Sequence, residues 1–450
     1  MAEIDATPDD LRRAEAAALT TFREDLAELL RQRPGFAPQP SDEDAIFALA
    51  DKAMRGYNTS SALASDLPQL SRAQLLELRR RLFISHSALG PFAELLKVDG
   101  VEDIVINGAQ GGYLEFGDHR QPLPVEYSSE EELERFIRWY AEHSGKHFDA
   151  SNPIVTITLR DGTRINAVRP PLAKPMQVTI RLHQLSRFRE LADLVREGTV
   201  PEPAIPLLRY AVQARLNGVV SGPTAAGKTT FVRVLAMLIP SGERTCVLET
   251  ETELWLHDLR DDFFSLEERS ANVEERGAIT LQELFQKGAL RQRPRRIIVG
   301  EVRGKEALDT IHAMTSGHDG SLTTVHASGP RMALSRLQML AMSADPNLTV
   351  PVVRQMTGSG VDLVIHVDMY RRGERLLRRL GFLGFVDHNV ESPQLGPLVQ
   401  EVCRYRPATD DWVWDRSALR FMPDKVRDKF QAAGIGDNQL RLRGPVLDGH

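Results

Sequence analysis

The spacing of apolar residues predicts a helical region at the start of the chain. Over residues 11–96 apolar side chains recur at the period of an amphipathic helix. A stretch with several prolines, residues 34–40, interrupts this pattern and indicates a break between helices. We therefore predict a helical N-terminal region over residues 1–96. One of its apolar faces consists of Phe22, Leu26, Leu29 and Leu30.

From about Val101 the pattern changes to short runs in which apolar and polar residues alternate. A period of two is typical of a half-buried strand, and one amphipathic helix, over residues 129–144, interrupts the runs. We predict an α+β domain over residues 97–184 and a linker over residues 185–200. The strand-like runs are VEDIVING, GYLEF, IVTITL, TRINAV and QVTIRL.

From residue 201 to residue 450 continuous apolar strands alternate with helical segments, which is typical of an α/β domain with a parallel sheet. Residues 361–370 and 376–386 flank the sequence RRGE and predict a β-hairpin. Chemically useful residues follow four of the strands. Open parallel sheets bind ligands beyond the carboxyl ends of their strands, so we expect these four to converge on one site. They are Gly222, Glu249, Glu301 and His326.

Composition narrows the class of protein. A chain of 450 residues exceeds one ordinary hydrophobic core, so we expect two or three domains. The net charge of -6 argues against a protein that mainly coats nucleic acid or an anionic membrane. With only Cys246 and Cys403 present, we expect no disulfide framework and a reducing cytoplasm. The N-terminus lacks an apolar targeting segment and no run is long enough to span a bilayer, so membrane association would be peripheral.

The segment GPTAAGKTT has the pattern of a phosphate-binding loop between a strand and a helix. Such a loop presents backbone N–H groups to phosphates, with Lys228 facing the β- and γ-phosphates and the Thr229 hydroxyl facing Mg²⁺. The alternative is a chance glycine-rich turn before a helix. We predict that ATP phosphates contact Gly222, Pro223, Thr224, Ala225, Ala226, Gly227, Lys228, Thr229 and Thr230.

Two acidic segments are candidates for metal and water chemistry. The strand RIIVGE delivers Glu301, which could hold the Mg²⁺ hydration shell or orient water, unless it is only a surface residue. In LETETEL, an extended backbone would put Glu249, Glu251 and Glu253 on one side, after a strand that we expect beside the phosphate-loop strand. One of these is a candidate general base, and a solvated acidic loop is the alternative.

Two histidines bracket the segment HDGSLTTVH, and an imidazole near the γ-phosphate could sense that group. We predict this role for His326 and leave His318 open between a functional and a structural role. Two arginine clusters are interpreted as solvated charge in a turn and a hairpin rather than as a nucleic-acid surface. They are Arg291, Arg293, Arg295 and Arg296, and Arg371, Arg372, Arg375, Arg378 and Arg379.

Over roughly residues 98–386 the sequence resembles the secretion ATPases of the type II/type IV superfamily, and is closest to the Tad/CpaF branch that powers pilus assembly. GPTAAGKTT, RIIVGEVRGKEALD and TSGHDGSLTTVHA are similar to that family's Walker A, Walker B and histidine boxes. VEDIVING and DGTRINAVRPPL, with TIR at residues 179–181, are similar to its N-terminal domain signature. The resemblance implies a RecA-like C-terminal domain.

The same resemblance implies a homohexamer that uses ATP and Mg²⁺. In that family nucleotide lies between the two main domains, which implies that Arg164 and Arg181 reach the γ-phosphate. LETETEL resembles the family's aspartate box, in which Glu249 and Glu253 match glutamates while Thr250 replaces an aspartate. Glu253 is therefore the expected water-polarising residue, with Glu249 behind it. Thr229 and Glu301 would serve the metal.

These features predict a cytoplasmic motor, peripheral at the inner face of the cytoplasmic membrane, that drives inner-membrane platform proteins of a Tad-type pilus or secretion system. No direct nucleic-acid partner and no transmembrane segment are expected. The alternatives are a conjugation-type ATPase assisting DNA transfer, a regulatory subunit that binds nucleotide but barely hydrolyses it, and a small-molecule P-loop kinase.

Overall fold

The structure is a computed structural model, and its chain divides into two compact units, residues 1–184 and residues 185–450. Each unit has its own hydrophobic core. The structure describes residues 7–31, 43–63, 67–72, 74–76, 78–79, 82, 98, 100–117, 119–124, 127, 129–159, 162–182, 190–269, 277–373, 375–388, 396–415, 417–436 and 438–440.

The N-terminal region is helical where it is described. Helices α1, Pro8–Arg31, and α2, Glu43–Leu63, pack through a cluster rich in alanine, which allows their backbones to approach closely. Phe22 and Leu26 are buried in this cluster as predicted. The side chains of Leu29 and Leu30, and the predicted break over residues 34–40, lie outside the described residues.

The described residues between 101 and 181 form an antiparallel sheet that is covered by helix α3, Glu130–His143. The strand order is β3-β2-β1-β6-β5-β4. Alternate residues such as Ile104 and Ile106 point into a core shared with Leu133 and Ile137 of the helix, so the period-two pattern arises from burial of one sheet face. The strands are β1, Val101–Asn107, β2, Gly112–Phe116, β3, Arg120–Pro122, β4, Ile154–Thr158, β5, Arg164–Val168, and β6, Gln177–Arg181.

The second unit is a RecA-like α/β domain. Its strands are β7, Gly218–Gly222, β8, Thr245–Glu249, β9, Phe263–Glu267, β10, Arg296–Val299, β11, Leu322–His326, β12, Leu363–Arg372, β13, Arg375–Asp387, β14, Leu398–Arg406, and β15, Asp411–Trp414. Its helices are α4, Leu191–Arg196, α5, Ala204–Gln213, α6, Lys228–Met237, α7, Leu281–Glu283, α8, Glu306–Thr315, α9, Pro330–Ala344, α10, Val350–Gly360, α11, Ser417–Arg420, and α12, Asp424–Ala432. Shorter turns of 3-10 or π type cover Leu256–Asp258, Leu284–Gly288 and Ala289–Gln292.

These strands form one sheet with the order β15-β14-β13-β12-β7-β11-β10-β8-β9. The strands from β12 to β9 in this order pair in parallel, and β12 to β15 form an antiparallel meander at the other side. The central strands are buried on both faces: Val220 lies in one core and Val219 in the other. Coverage of both faces explains the continuous apolar runs in the sequence. The free thiols of Cys246 and Cys403 are buried in this domain.

Two sequence expectations about this domain need correction. The strand before Glu249 was expected beside the phosphate-loop strand, but β11 and β10 lie between β8 and β7. After β7 the chain forms β8 and β9 at the edge of the sheet, and β10 and β11 later insert between β8 and β7. No local sequence pattern indicates that order. Part of the segment predicted as a linker belongs to the second unit, because α4 buries Leu191 and Leu194 in the core of that unit. The β-hairpin is present as β12 and β13.

The amino ends of the parallel strands are joined by buried polar groups. The Asn217 side chain donates to Met314 O at 2.9 Å and to Gly360 O at 2.8 Å, and the Asn217 backbone N–H donates to Asp362 at 2.8 Å. Lys429 of α12 donates to the same Asp362 carboxylate at 2.6 Å. The network fixes the C-terminal helix against the starts of β7 and β12.

Arg296, the first residue of β10, was interpreted as part of a solvated turn, and this was wrong. Its side chain is 0% exposed. It donates to both carboxylate oxygens of Glu243, at 2.7 and 3.2 Å, and to Val212 O at 2.8 Å. Pairing with a carboxylate allows a guanidinium to be buried, whereas the preceding Arg291, Arg293 and Arg295 are exposed as expected.

Candidate functional site

The phosphate-loop sequence forms a tight connection between β7 and α6. Gly222 has a φ of +155°, and a Cβ at this position would lie 2.0 Å from Val367 O of the neighbouring strand, so only glycine fits. Gly227 takes a left-handed φ of +88° directly before the helix begins at Lys228. The loop therefore ends at a helix N-terminus, where free N–H groups favour an anion.

Lys228 is buried at the base of the loop, with 6% of the residue exposed. Its ammonium donates to Pro223 O at 2.8 Å and lies 3.2 Å from His326 Nδ1. Burial lowers the pKa of Lys228, while the negative charge of Glu301 opposes that shift. A lysine in this position is a cation with few competing contacts to water, and it can bind phosphate oxygens strongly.

His326 links Lys228 to Glu301. The Nε2 atom of His326 lies 3.0 Å from Glu301 Oε1, and Arg303 donates to Glu301 Oε2 at 2.5 Å. Burial, and then the charge of Lys228, lower the pKa of His326. The imidazole is therefore neutral near pH 7, with Nδ1 accepting from Lys228 and the proton on Nε2. The structure brings together three predicted site residues from β10, β11 and α6.

The acidic segment contributes a second contact to the loop. Thr229 Oγ1 donates to Glu253 Oε2 at 3.3 Å. Glu249 Oε1 accepts from the backbone N–H groups of Glu253 and Leu254, each at 3.0 Å. The three glutamates were expected on one side of an extended chain, but the strand ends at Glu249 and the chain turns back over its carboxylate. Glu249 thus fixes the backbone that carries Glu253.

Glu249 itself is buried, and burial raises its pKa to about 7. Its Oε2 atom has no hydrogen-bond partner among the described residues. A Cβ on Gly300, the residue before Glu301, would lie 2.8 Å from Glu249 Cγ, so β10 and β8 approach closely here. An uncompensated buried carboxyl beside the loop is a site for a proton or a cation.

The remaining candidates belong to other elements of the chain. Arg164 and Arg181 belong to the first unit, where they are direct neighbours on β5 and β6. Arg181 Nε donates to Asp103 at 3.0 Å. His318 precedes β11, while His326 ends it, so the two histidines lie at opposite ends of one strand. A role for His318 at the site of His326 therefore has no support from its position, and the choice between a functional and a structural role for His318 stays open.

Residues of the hairpin β12–β13 that contact the loop or the residue before it were not predicted from the sequence. His366 of β12 is 4% exposed, and its Nδ1 lies 2.9 Å from the Ser221 hydroxyl directly before the loop. Arg378 of β13 donates from Nε to Ala225 O at 2.9 Å in an exposed contact. The interpretation as solvated charge was wrong for its neighbour Arg379, whose side chain is only 12% exposed. The sequence did offer one indication for His366, because a histidine inside the apolar run LVIHV is unusual and must find a polar partner when buried. The position of Arg378 depends on strand pairing.

The oxygen atoms at this site fit Mg²⁺ bound to a nucleoside triphosphate. No group of three or more His, Cys, Asp or Glu side chains in the described part of the chain is arranged to hold a metal alone. Mg²⁺ commonly takes only one or two protein ligands, with water and phosphate oxygens as the others. The Thr229 hydroxyl, Glu253 and Glu301, together with the unpartnered Glu249 oxygen, meet that requirement.

This fold and this loop define a RecA-like protein with a phosphate-binding site at the carboxyl end of its sheet. A family profile described as "Type II/IV secretion system protein" matches residues 86–376, more than half of the chain. The chain therefore belongs to the type II/IV secretion system protein family.

The chain is also similar to individual curated proteins and solved structures. The chain is 29% identical over 330 residues to the putative conjugal transfer protein Rv3659c of Mycobacterium tuberculosis, covering 72% of this chain and 92% of the relative. It is 32% identical over 253 residues to the type IV secretion system protein PtlH of Bordetella pertussis, covering 51% and 73%. Among solved structures, the Legionella pneumophila ATPase DotB is 18% identical with a TM-score of 0.46, covering 68% of this chain and 81% of that one.

No helix in the described ranges of the chain is long and apolar enough to cross a membrane.

Proposed function

We propose that this protein is an ATP-hydrolysing motor of a secretion or pilus-assembly machine. The observation that carries the proposal is the linked set Lys228, His326 and Glu301 at a phosphate loop, with Glu253 contacting Thr229 from the other side. A site that only bound phosphate would not need a carboxylate on each side of the loop. Membership in the family supports the same conclusion.

Each residue has a separate task in this proposal. Lys228 and the loop N–H groups bind the β- and γ-phosphates, and the Thr229 hydroxyl and Glu301 hold Mg²⁺, which would neutralise phosphate charge. Glu253 orients and polarises the attacking water. Glu249 keeps Glu253 in place through two backbone hydrogen bonds. Neutral His326 reports the γ-phosphate through its contacts to Lys228 and Glu301.

The finer parts of the proposal rest on the resemblance to the Tad/CpaF branch. We propose that the protein acts as a homohexamer on inner-membrane platform proteins, at the cytoplasmic face of the membrane. Arg164 and Arg181 would contact the γ-phosphate during turnover. They are direct neighbours on adjacent antiparallel strands, so one anionic ligand could contact both guanidinium groups.

A second candidate function is assistance to conjugative DNA transfer. Relatives described as conjugal transfer proteins include Rv3659c of Mycobacterium tuberculosis and TrbB of Rhizobium radiobacter. Salt-sensitive binding of single-stranded DNA to the purified protein would favour this candidate. Turnover that DNA leaves unchanged, and no binding at low salt, would favour the pilus or secretion role.

The decisive experiment is Mg²⁺-dependent phosphate release from ATP across protein concentrations, with Lys228→Ala and Glu253→Gln as variants. We expect turnover that rises with assembly and falls by at least about a hundredfold in both variants, because each removes a charge that acts in the transition state. Glu253→Gln should still bind ATP, whereas Lys228→Ala should not. ATP binding without turnover at any concentration would contradict the motor and favour a regulatory subunit.

A further inference from the structure

The phosphate loop of this chain contains a residue in an unfavourable backbone conformation. Ala225 has a φ of +63°, in the left-handed region that glycine adopts freely and alanine does not. The two neighbouring positions with positive φ, Gly222 and Gly227, are glycines. Alanine at this position needs support from elsewhere in the structure to keep the loop in one shape.

Arg378 provides a direct contact to that residue. Its Nε donates to the Ala225 carbonyl at 2.9 Å. Its Cδ lies 3.8 Å from the point where a Cβ on Gly227 would be, so the side chain runs along the loop from Ala225 to the start of α6. A charged donor makes a stronger hydrogen bond than a neutral one, and the contact therefore constrains the loop.

The strand that carries Arg378 is itself anchored. The next residue, Arg379, points to the other face, over the Tyr405 and Trp412 rings, at 5.8 and 6.0 Å from their centroids. The following residue, Leu380, donates its N–H to Thr199 O at 2.6 Å and accepts from Trp412 Nε1 at 2.8 Å. The guanidinium at residue 378 is thus presented from a fixed backbone.

The contact determines which way one peptide group faces. The peptide between Ala225 and Ala226 is trans, so its C=O and N–H point in opposite directions. With the oxygen held by Arg378, the N–H of Ala226 faces the other way and makes a long contact to Pro223 O, at 3.4 Å, which a phosphate oxygen would replace. A phosphate loop binds through such N–H groups, whereas a carbonyl turned inward would repel the phosphate.

We propose that Arg378 is a positioning residue for nucleotide binding, which holds the Ala225–Ala226 peptide in the orientation that suits phosphate. The inference rests on the proposed nucleotide site. It predicts that the contribution of Arg378 to nucleotide binding depends on the residue at position 225, because alanine needs this support to keep its backbone conformation. Glycine at position 225 adopts the same φ without strain, and it makes the arginine largely dispensable.

The test compares ADP and Mg²⁺–ATP dissociation constants, by calorimetry, for the full chain and for Arg378→Ala, Ala225→Gly and the double variant. We expect Arg378→Ala to weaken binding about tenfold, which corresponds to 1.4 kcal/mol. In the Ala225→Gly background the same change should cost about twofold or less. Arg375→Ala is the matched control, because Arg375 is an exposed arginine of the same hairpin, and it should leave binding unchanged.

Each other outcome has a defined meaning. Unchanged binding in Arg378→Ala overturns the inference, and so does an equal loss in both backgrounds, which would show that Arg378 acts by its charge on the nucleotide. Absence of binding by the unaltered chain overturns the proposed function instead. If Arg378→Ala does not fold, Arg378→Met keeps a stem of similar length without the donor, and its binding must show the same dependence on residue 225.

Discussion

At the amino ends of the parallel strands, Arg296 is completely buried, yet each of its three guanidinium nitrogens donates to a carboxylate or a carbonyl. At the carboxyl ends of the same strands, Glu249 is nearly as buried, and one of its oxygens has no partner among the described residues. The two ends share a sheet and a core. Their difference shows that compensated charge joins strands, whereas uncompensated charge leaves capacity for a ligand.

The largest effect is expected at the compensated end. Arg296→Ala leaves Glu243 with Arg215 alone and opens a cavity, so the free energy of unfolding should fall by about 3–5 kcal/mol. Urea denaturation measures this loss. Arg295→Ala, one residue earlier and exposed, is the matched control and should change stability by no more than about 0.5 kcal/mol. If Arg296→Ala and Arg295→Ala lowered the free energy of unfolding equally, the buried ion pair would not be what stabilises the amino ends of the strands.

The second prediction concerns Glu249 and pH. Burial raises the pKa of Glu249 to about 7 from 4.5, so between these values the folded state binds more protons than the unfolded state. The free energy of unfolding should therefore fall as pH rises across this window, by on the order of 3 kcal/mol. Glu249→Gln should remove that loss, as measured by urea denaturation at about pH 5 and about pH 8.

Glu243 at the amino end is the control for this pH dependence. Burial alone would raise its pKa, but hydrogen bonds and charge from Arg296 and Arg215 outweigh burial and hold the pKa below its ordinary value. Its contribution to stability is therefore present above the unfolded pKa and is lost as pH falls. Glu243→Gln should remove a loss of stability that occurs as pH falls, whereas Glu249→Gln should remove one that occurs as pH rises. If the two residues changed the free energy of unfolding with pH in the same direction, the comparison would be contradicted.

The smallest effect is expected for His326. Burial and the charge of Lys228 lower its pKa, so the ring is neutral at neutral pH and gains a proton only in acid. Protonation would place a second positive charge beside Lys228 and should reduce phosphate release as pH falls. His326→Asn should cost about tenfold in kcat near pH 7 and should flatten this acid limb. An acid limb of unchanged shape would exclude His326 as its source.

Local features of the two sheet ends were predictable from the sequence. The strand, loop and helix around Lys228, the strand just before Glu301, the strand that ends at His326, and the hairpin all follow from short apolar runs and glycine positions. Each of these depends on residues within a few positions of one another. Convergence at the carboxyl edge followed from a general property of parallel sheets.

Features set by contacts between distant segments could not be predicted. The pairing of Arg296 with Glu243 and the contact of Arg378 with Ala225 join residues far apart in sequence, and a run of arginines indicates solvent exposure equally well. The turn that places Glu249 under Glu253 depends on burial of a single carboxylate. Strand order also has no local signature, which is why β8 was expected beside β7.

The burial of both native cysteines has a practical consequence. Burial raises the pKa of Cys246 to about 12 and raises that of Cys403 further, so neither forms the thiolate that maleimide reagents attack. A cysteine introduced at an exposed helical position in each unit, such as Glu142 or Gln431, would therefore be labelled selectively without removal of the native ones. A fluorophore pair at these positions would follow the distance between the two units during turnover in an otherwise unaltered chain.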